Sequence, residues 1–397
     1  MSTPRSSSPP LRSPEQRRGD PAVSAIDPRA FHARLGERGI DLFAGVPDSL
    51  LQDLCACIEA CSPREKSIIT ANEGNAVGVA CGYHIATGNY AAVYLQNSGL
   101  GNTVNPLLSL AHPQVYGVPM LLIIGWRGEP GVPDEPQHVA QGRLTLPTLE
   151  TLEVPYQVLD PEQWETQVDR AVEQLRSTSA PVALIVRKGV FGKYAAAPRP
   201  SALPLTREAA LEAMLAAIGP QAFVVSTTGK TSREVFEIRE RRGEGHGHDF
   251  LTVGGMGHAA SIAMGICLGT DETVYCIDGD GGFLMHLGSI PVIAQQVRGN
   301  FRYLMINNGA HESVGGQPTV AFDIDTAGIL TAAGFAHVEV VRQASDLVAA
   351  LQRLAATPKS ALVVEVAQGS RPDLGRPTVA PAANKTAMMA EFQAARS

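Results

Sequence analysis

Residues 273–308 read TVYCIDGDGGFLMHLGSIPVIAQQVRGNFRYLMINN, and this stretch decides the fold. An apolar run over 272–278 enters Gly279-Asp280-Gly281, a helical pattern covers 283–298, and a second apolar run over 303–306 ends on Asn307-Asn308. Strand, helix and strand in that order make a βαβ unit. Its strands are parallel, so both polar ends emerge on the same carboxyl edge of the sheet. Asp280 and the asparagine pair can converge there on one Mg²⁺, a hard cation that takes oxygen ligands and accompanies phosphates. Gly281 and Gly282 let the main chain approach a diphosphate seated on the amino end of the following helix. A glycine-rich turn in an ordinary βαβ unit would explain the first motif by itself. It does not explain the second polar strand end at this distance.

The same alternation runs outward in both directions. Strand patterns at 41–46, 67–71, 90–96, 120–126 and 182–187 are separated by amphipathic stretches such as 49–61, 74–87 and 163–177. The Ala- and Pro-rich AAAPRPSALPL (195–205) reads as a linker. Beyond it, strand patterns at 222–227, 273–278, 303–306, 337–341 and 361–366 alternate with helical ones at 207–218, 257–268 and 345–356. The expected fold class is α/β: two doubly wound parallel-sheet domains, at 25–194 and 206–370, with no third domain between them. Residues 1–24, rich in Ser, Pro and Arg and without a signal peptide's apolar core, are expected to be a disordered tail. Residues 371–397 form a second tail with a short helical run from Lys385.

Bulk properties narrow the function. The 397 residues are 44% hydrophobic and 18% charged, ordinary for a globular protein. A net charge of −7 gives no reason to expect nucleic acid or an anionic membrane as partner, so any anionic substrate must meet local positive groups. No apolar run reaches membrane-spanning length. Three of the six cysteines fall in LQDLCACIEAC (51–61). Zinc would want a fourth ligand and C-x-x-C spacing, so helical core positions are the better reading. Scattered thiols point to a reducing, cytoplasmic compartment.

The spacing of the two polar motifs resembles the signature of thiamine diphosphate (ThDP) enzymes, G-D-G followed some two dozen residues later by N-N. The resemblance implies Asp280, the Asn308 side chain and the Ala310 carbonyl as Mg²⁺ ligands. Upstream, Thr70-Ala71-Asn72-Glu73 places a carboxylate after a strand, opening a helix, where the helix dipole alone would favour it. With ACGYHIATG, YAAVYLQNSGLGNTVNPLLSLA and GVPMLLIIG it resembles the pyrimidine-binding domain of ThDP decarboxylases and synthases. Glu73 is then implied to protonate the aminopyrimidine, whose imino form removes the thiazolium C2 proton. Gly254-Gly255-Met256-Gly257 resembles the family's G-x-Φ-G element, with Met256 wedged under the cofactor and the Gly254 carbonyl on its amino group. Thr228-Gly229-Lys230-Thr231 resembles a turn that touches the diphosphate, implying Thr228 and Gly229. A dinucleotide site at 255–260 lacks its acidic partner, and a phosphate-loop NTPase would need glycine where Val224 stands.

Val46-Pro47-Asp48 resembles the V-P-G-D loop of pyruvate decarboxylases without its glycine. That implies Asp48 as a proton donor at the reacting carbon, although Asp48 is equally placed to cap the next helix. NNGAHESVGGQPT (307–319), GWRGEPG (125–131) and DEPQHVAQGR (134–143) resemble the phosphonopyruvate decarboxylase family. The activity this implies is ThDP- and Mg²⁺-dependent conversion of 3-phosphonopyruvate to phosphonoacetaldehyde and CO₂, in phosphonate and antibiotic biosynthesis. A 2-oxo acid with a second anionic group needs several donors. Candidates are Arg127, His138, Lys230, Arg233, His258, His311 and Ser313, with His138 expected in a loop and Arg371 and Arg376 able to close over the site. Glu312 lies out of register with the acid of pyruvate decarboxylases and receives no role. The family solution pairs the pyrimidine domain of one subunit with the diphosphate domain of another, implying a homodimer or dimer of dimers with interface active sites. Sulfopyruvate decarboxylase is the near alternative, its substrate differing by about one charge. An acetolactate-type carboligase is opposed by the missing middle domain, and a non-catalytic ThDP-binding protein by Glu73, Asp280 and Asn308.

Overall fold

Apolar runs without polar alternation become strands covered on both faces. The computed structural model describes residues 25–195 and 201–396, so the expected amino-terminal tail (1–24) and residues 196–200 of the expected linker lie outside the described residues. The first sheet contains β1 (Ile40–Gly45), β2 (Ser67–Ile69), β3 (Tyr90–Gln96), β4 (Leu121–Gly125), β5 (Tyr156–Val158) and β6 (Val182–Val186). All its ladders are parallel, in the order β2-β1-β3-β4-β6-β5.

The second sheet contains β7 (Phe223–Ser226), β8 (Asp249–Leu251), β9 (Val274–Gly279), β10 (Phe301–Asn307), β13 (His337–Val341) and β14 (Ser360–Glu365). A small antiparallel hairpin, β11 (Ala310–His311) with β12 (Gln317–Pro318), follows β10. Read from β8, the second order is β8-β7-β9-β10-β14-β13, the first sheet's order strand for strand. In each sheet the chain moves outward from β1 or β7, then returns to the other side at β3 or β9. That reversal opens a crevice beyond the strands' carboxyl ends, where ligands of open α/β sheets bind.

Helices cover both faces of each sheet. Helices Pro28–Glu37, Gln52–Cys61 and Trp164–Thr178 bury Phe31, Leu54 and Val172 on one face of the first sheet, and helix Glu73–Thr87 buries Ala76 and Val77 on the other. Helices Arg207–Ile218, Lys230–Arg241 and Ala344–Ala356 cover one face of the second sheet, and Ala259–Gly269 and Ser289–Gln296 the other. Cys55, Cys57, Cys81, Cys267 and Cys276 are buried, and Cys61 is exposed.

Several boundaries differ from the sequence reading for identifiable reasons. The expected helix over 283–298 is two helices, Asp280–Met285 and Ser289–Gln296. In one continuous helix Pro291 would deny an N–H to the carbonyl of Leu287 and press its ring on it; the break puts Pro291 in a first turn, where no N–H is needed. Strands β5 and β8 and the hairpin are too short to carry a period-two pattern. His138 lies in the first turn of a helix, Pro136–Thr151, rather than in a loop; Pro147 inside that helix disguised it.

The carboxyl-terminal helix runs from Pro381 to Ala394, starting before Lys385 because Pro381 opens it. Its Asn384 behaves like an added strand against the edge strand β8, accepting from the Leu251 N–H (3.1 Å) and donating to the Asp249 carbonyl (2.7 Å). Phe392 stacks on Phe223 with ring centroids 3.8 Å apart. Asn384→Ala leaves two buried main-chain groups unpaired. It should lower stability in urea unfolding by about 1–3 kcal/mol and make the chain after residue 380 the first protease-sensitive segment.

Candidate active site between the two sheets

The carboxyl ends of the two sheets face each other around a cavity of about 810 Å³, within the range of small-molecule sites. The site residues expected from the sequence line it, except Asp48, Asn307 and Arg371. Both walls come from one polypeptide. The connection between Val186 and Phe223 is long enough to fold the halves together, and Asn72 Nδ2 reaches the Met285 carbonyl (3.5 Å) across the gap.

The first wall presents a buried carboxyl group. Glu73 is the first residue of its helix, behind the Asn72 cap that accepts from the Asn75 N–H (3.0 Å), and it is only 5% exposed. Asn102 Nδ2 donates to its Oε2 (2.7 Å). A Cβ at position 99 would stand 2.2 Å from its Oε1, so Gly99 is required for the carboxylate to sit there. Asn97 donates to the Arg127 carbonyl (2.7 Å) and accepts from its N–H (3.2 Å), tying the ends of β3 and β4.

Asp48 faces inward. Its oxygens accept from the Leu50 N–H (2.9 Å) and Gln96 Nε2 (2.5 Å), and a Cβ on Gly125 would come within 2.1 Å of it. Burial pushes its carboxyl up despite those bonds. Asp48 therefore holds the turn after β1, and Ser49 and Gln96 present their side chains to the crevice in its place.

The second wall carries the opposite pole. Asp280 and Asn308 follow the adjacent strands β9 and β10, and both are buried, as is Ala310. The β11–β12 hairpin returns Thr319 to Asp280, whose Oδ2 accepts from Thr319 Oγ1 (2.5 Å). Burial raises Asp280 to about 6 against that bond and the neighbouring N–H groups. Among the described residues no cationic side chain pairs with it. A buried carboxylate without a counter-charge is costly, and a divalent cation relieves the cost. Asn308 Nδ2 donates to Glu312 Oε2 (2.8 Å), which fixes the amide so that its oxygen faces the other way. Burial would raise Glu312, but Arg207 (2.7 Å) and Lys230 (2.8 Å) outweigh it and hold the carboxyl at about 2.

The donor set of one carboxylate, one amide oxygen and one carbonyl suits Mg²⁺. The surrounding turns suit a diphosphate. Gly229, at φ +93°, leads Thr228 into the amino end of helix Lys230–Arg241, with Ser313 Oγ 2.7 Å from where its Cβ would stand. At Gly281 an added Cβ would lie 2.9 Å from Met256 Cε and 3.1 Å from the His311 ring, so both side chains close over that glycine. Gly254 sits against Gln137 of the opposite wall.

The candidate substrate donors divide by charge. Burial, with Arg127 adding to it, lowers His138 to about 4, and burial lowers His311 to about 4, so both imidazoles are neutral at pH 7. Arg127 forks onto Asp134 (2.8 and 2.5 Å) and donates to Ser49 Oγ (2.8 Å). His258 points Nδ1 at the carbonyls of Gly255 and Met256 (3.1 Å each), bracing the Met256 turn. Arg371 is held away from the crevice by Glu208 and Glu237, whereas Arg376 lines it and pairs with Glu135. Sequence reasoning missed Asn102, Thr319, Arg207 and Glu312. Only Asn102 left a signal, in the small polar run QNSGLGN after β3.

Two family matches agree with this arrangement. Residues 29–148 match the N-terminal TPP binding domain of thiamine pyrophosphate enzymes, and residues 227–366 match their C-terminal TPP binding domain. The chain belongs to the thiamine pyrophosphate enzyme family, thiamine pyrophosphate being ThDP. It is 37% identical over 379 residues to the phosphonopyruvate decarboxylase of Streptomyces hygroscopicus, covering 90% of this chain and 91% of that one. It is 35% identical over 364 residues to the phosphonopyruvate decarboxylase of Streptomyces viridochromogenes, covering 87% and 89%. The sulfopyruvate decarboxylase of Methanosarcina acetivorans is more distant, 25% identical over 343 residues, covering 81% and 86%.

Two measurements test this geometry. Gly99→Ala should displace the Glu73 carboxylate and lower kcat roughly 10²-fold, with circular dichroism unchanged. His138 stays neutral to about pH 4, whereas in the unfolded chain it takes a proton near its ordinary 6.5. The unfolded state then binds more protons between those values, so stability falls as pH drops from about 6.5 to about 4. His138→Gln should flatten that part of the stability curve.

Proposed function

We propose that this enzyme is a carboxy-lyase that uses ThDP and Mg²⁺ to convert 3-phosphonopyruvate to phosphonoacetaldehyde and CO₂, supplying phosphonate biosynthesis. The observation that carries the reading is the buried Glu73 carboxylate facing the buried, uncompensated Asp280 carboxylate across one crevice. Its substrate choice is supported by the two Streptomyces relatives, similar over nearly their whole length. Six free cysteines support a reducing, cytoplasmic setting.

When bound, ThDP supplies a carbon nucleophile for the 2-oxo carbon and a sink for the electron pair left by CO₂. The chain's own residues do the rest. Glu73 would hold a proton at the aminopyrimidine nitrogen, and Asn102, which donates to its Oε2, would keep the carboxyl group turned toward it. Asp280, Asn308 Oδ1 and the Ala310 carbonyl would hold Mg²⁺, with Thr228, Gly229, Gly281 and Gly282 around the diphosphate. Met256, braced by His258, would set the cofactor's bend, and the Gly254 carbonyl would orient its amino group. Neutral His138 and His311, with Ser313, offer hydrogen bonds to the substrate without adding charge. Arg127, paired with Asp134, and Lys230, paired with Glu312, fix the shape of the walls that the substrate meets.

The assembly we favour is a homodimer or dimer of dimers with shared sites. The faces that meet inside one chain can meet between two chains by exchange. Exposed Leu108, Val115 and Tyr116 on the first half support a contact there.

Glu73→Gln should keep ThDP affinity in calorimetry while kcat falls roughly 10²–10⁴-fold. Mixing that variant with Asp280→Ala, each inactive alone, should restore CO₂ release, because one site in a mixed dimer with shared sites escapes both changes. No restoration would place each site within a single chain. Faster turnover of sulfopyruvate than of phosphonopyruvate by the wild type would reassign the substrate.

A further inference from the structure

The second anion of the substrate has no evident seat until the cations are sorted by what already holds them. Five cationic side chains line the crevice: Arg127, Arg207, Lys230, Arg233 and Arg376. Arg127 is occupied by Asp134 and Ser49 through all three of its guanidinium nitrogens. Arg207, 4% exposed, lies between Glu234 and Glu312, and Lys230 is bound to the same Glu312. Two remain.

Arg233 has no carboxylate within ion-pair distance among the described residues. Its Nε and Nη2 donate to main-chain carbonyls, Gly375 (2.6 Å) and Leu374 (2.5 Å). Arg376 is the very next residue of that segment. Its partner is Glu135 of the opposite wall, in a pair 53% and 35% exposed.

The segment from Arg371 to Ala380 is thus a strap with fixed ends. Arg371 binds Glu208 and Glu237, the Gly375 N–H donates to Glu237 (2.5 Å), Leu374 is buried, and the docked helix Pro381–Ala394 follows. Arg233 grips its middle and so brings its own guanidinium beside Arg376 at the crevice. Glu135 opens helix Pro136–Thr151 but makes no side-chain capping bond, so it can leave without uncapping that helix.

We propose that Arg233 and Arg376 form the specificity seat for the substrate's distal phosphonate, with Glu135 as the place-holder it displaces. The inference rests on the function proposed above. A half-exposed ion pair is weak and readily exchanged. A phosphonate offers three oxygens to the Arg376 fork and to the Arg233 N–H groups that the strap carbonyls leave open, a geometry that ammonium or imidazole groups do not match. With Glu135 displaced, two positive charges face a phosphonate carrying close to two negative ones. A sulfonate carries one, which leaves the seat unbalanced and gives a physical basis for preferring the phosphonate.

The test uses the full-length enzyme with ThDP and Mg²⁺, and 3-phosphonopropionate as an unreactive probe with both anions. Arg376→Ala should weaken calorimetric binding of the probe roughly ten- to hundredfold and raise KM for 3-phosphonopyruvate similarly, with kcat and ThDP affinity little changed. Arg376→Lys should recover only part of the loss. Glu135→Gln, which frees Arg376 and keeps the side-chain shape, should tighten the probe. Unchanged probe affinity in Arg376→Ala, or weaker binding in Glu135→Gln, would overturn the seat. If the wild type binds the probe yet releases no CO₂ from 3-phosphonopyruvate, the proposed reaction fails and the seat stands.

Discussion

A buried carboxylate with nothing positive beside it is the constraint around which the second half of this protein is arranged. Asp280 follows β9 in a setting that raises its pKa, and its help from protein is one hydroxyl and neighbouring N–H groups. Cations are close by, yet Glu312 draws Arg207 and Lys230 to itself. Had either reached Asp280, the carboxylate would be satisfied and a metal would gain little from it. Left unpaired, it suits the proposed Mg²⁺ and the phosphates that would come with it. The same Glu312 orients the Asn308 amide, so one side chain both clears and aligns the pole.

The scaffold beneath this asymmetric chemistry is symmetric. Both sheets have one strand order, so equivalent turns meet across the crevice. The turn after β2 carries Glu73 and the turn after β8 carries Met256. Asn97 to Gly99 after β3 corresponds to Asp280 to Gly282 after β9, and Arg127 after β4 to Asn308 after β10. The principal departure is the β11–β12 hairpin, and its use is visible: it returns Thr319 to Asp280. A doubly wound sheet offers several strand ends at one edge, and two such edges face to face surround a ligand with main-chain turns whose positions the sheets fix.

That economy explains what could be read from the sequence. Gly279-Asp280-Gly281 and Asn307-Asn308 sit where a strand pattern stops, and parallel strands leave only one edge for them to occupy. Glu73 also follows a strand pattern, but the helix dipole alone would favour a carboxylate there, and its role came from the resemblance. Asp48 was not legible, because the direction of a turn side chain depends on partners remote in sequence, here Gln96 and Gly125. The cluster of Arg207, Glu234 and Glu312 spans 105 positions and has no local pattern at all. His138 was found as a residue but misplaced as to element, since Pro147 breaks the helical pattern that carries it.

Charge poses the last problem, since an acidic chain of net −7 must admit a substrate with two anionic groups. The five cations in the crevice do not make it a general anion trap, because three are held by carboxylates and ordered side chains within the walls. Those three fix shape: Arg127 pins the turn after β4, and Arg207 and Lys230 fix Glu312. Selectivity then falls to positive charge whose partner can be exchanged. The carboxyl-terminal strap supplies that charge at the crevice, and it is anchored independently through Asn384 and Phe392 on the edge of the second sheet. The catalytic walls can thus stay constant while the strap alters which second anion is accepted, which separates the chemistry common to this fold from the choice of substrate.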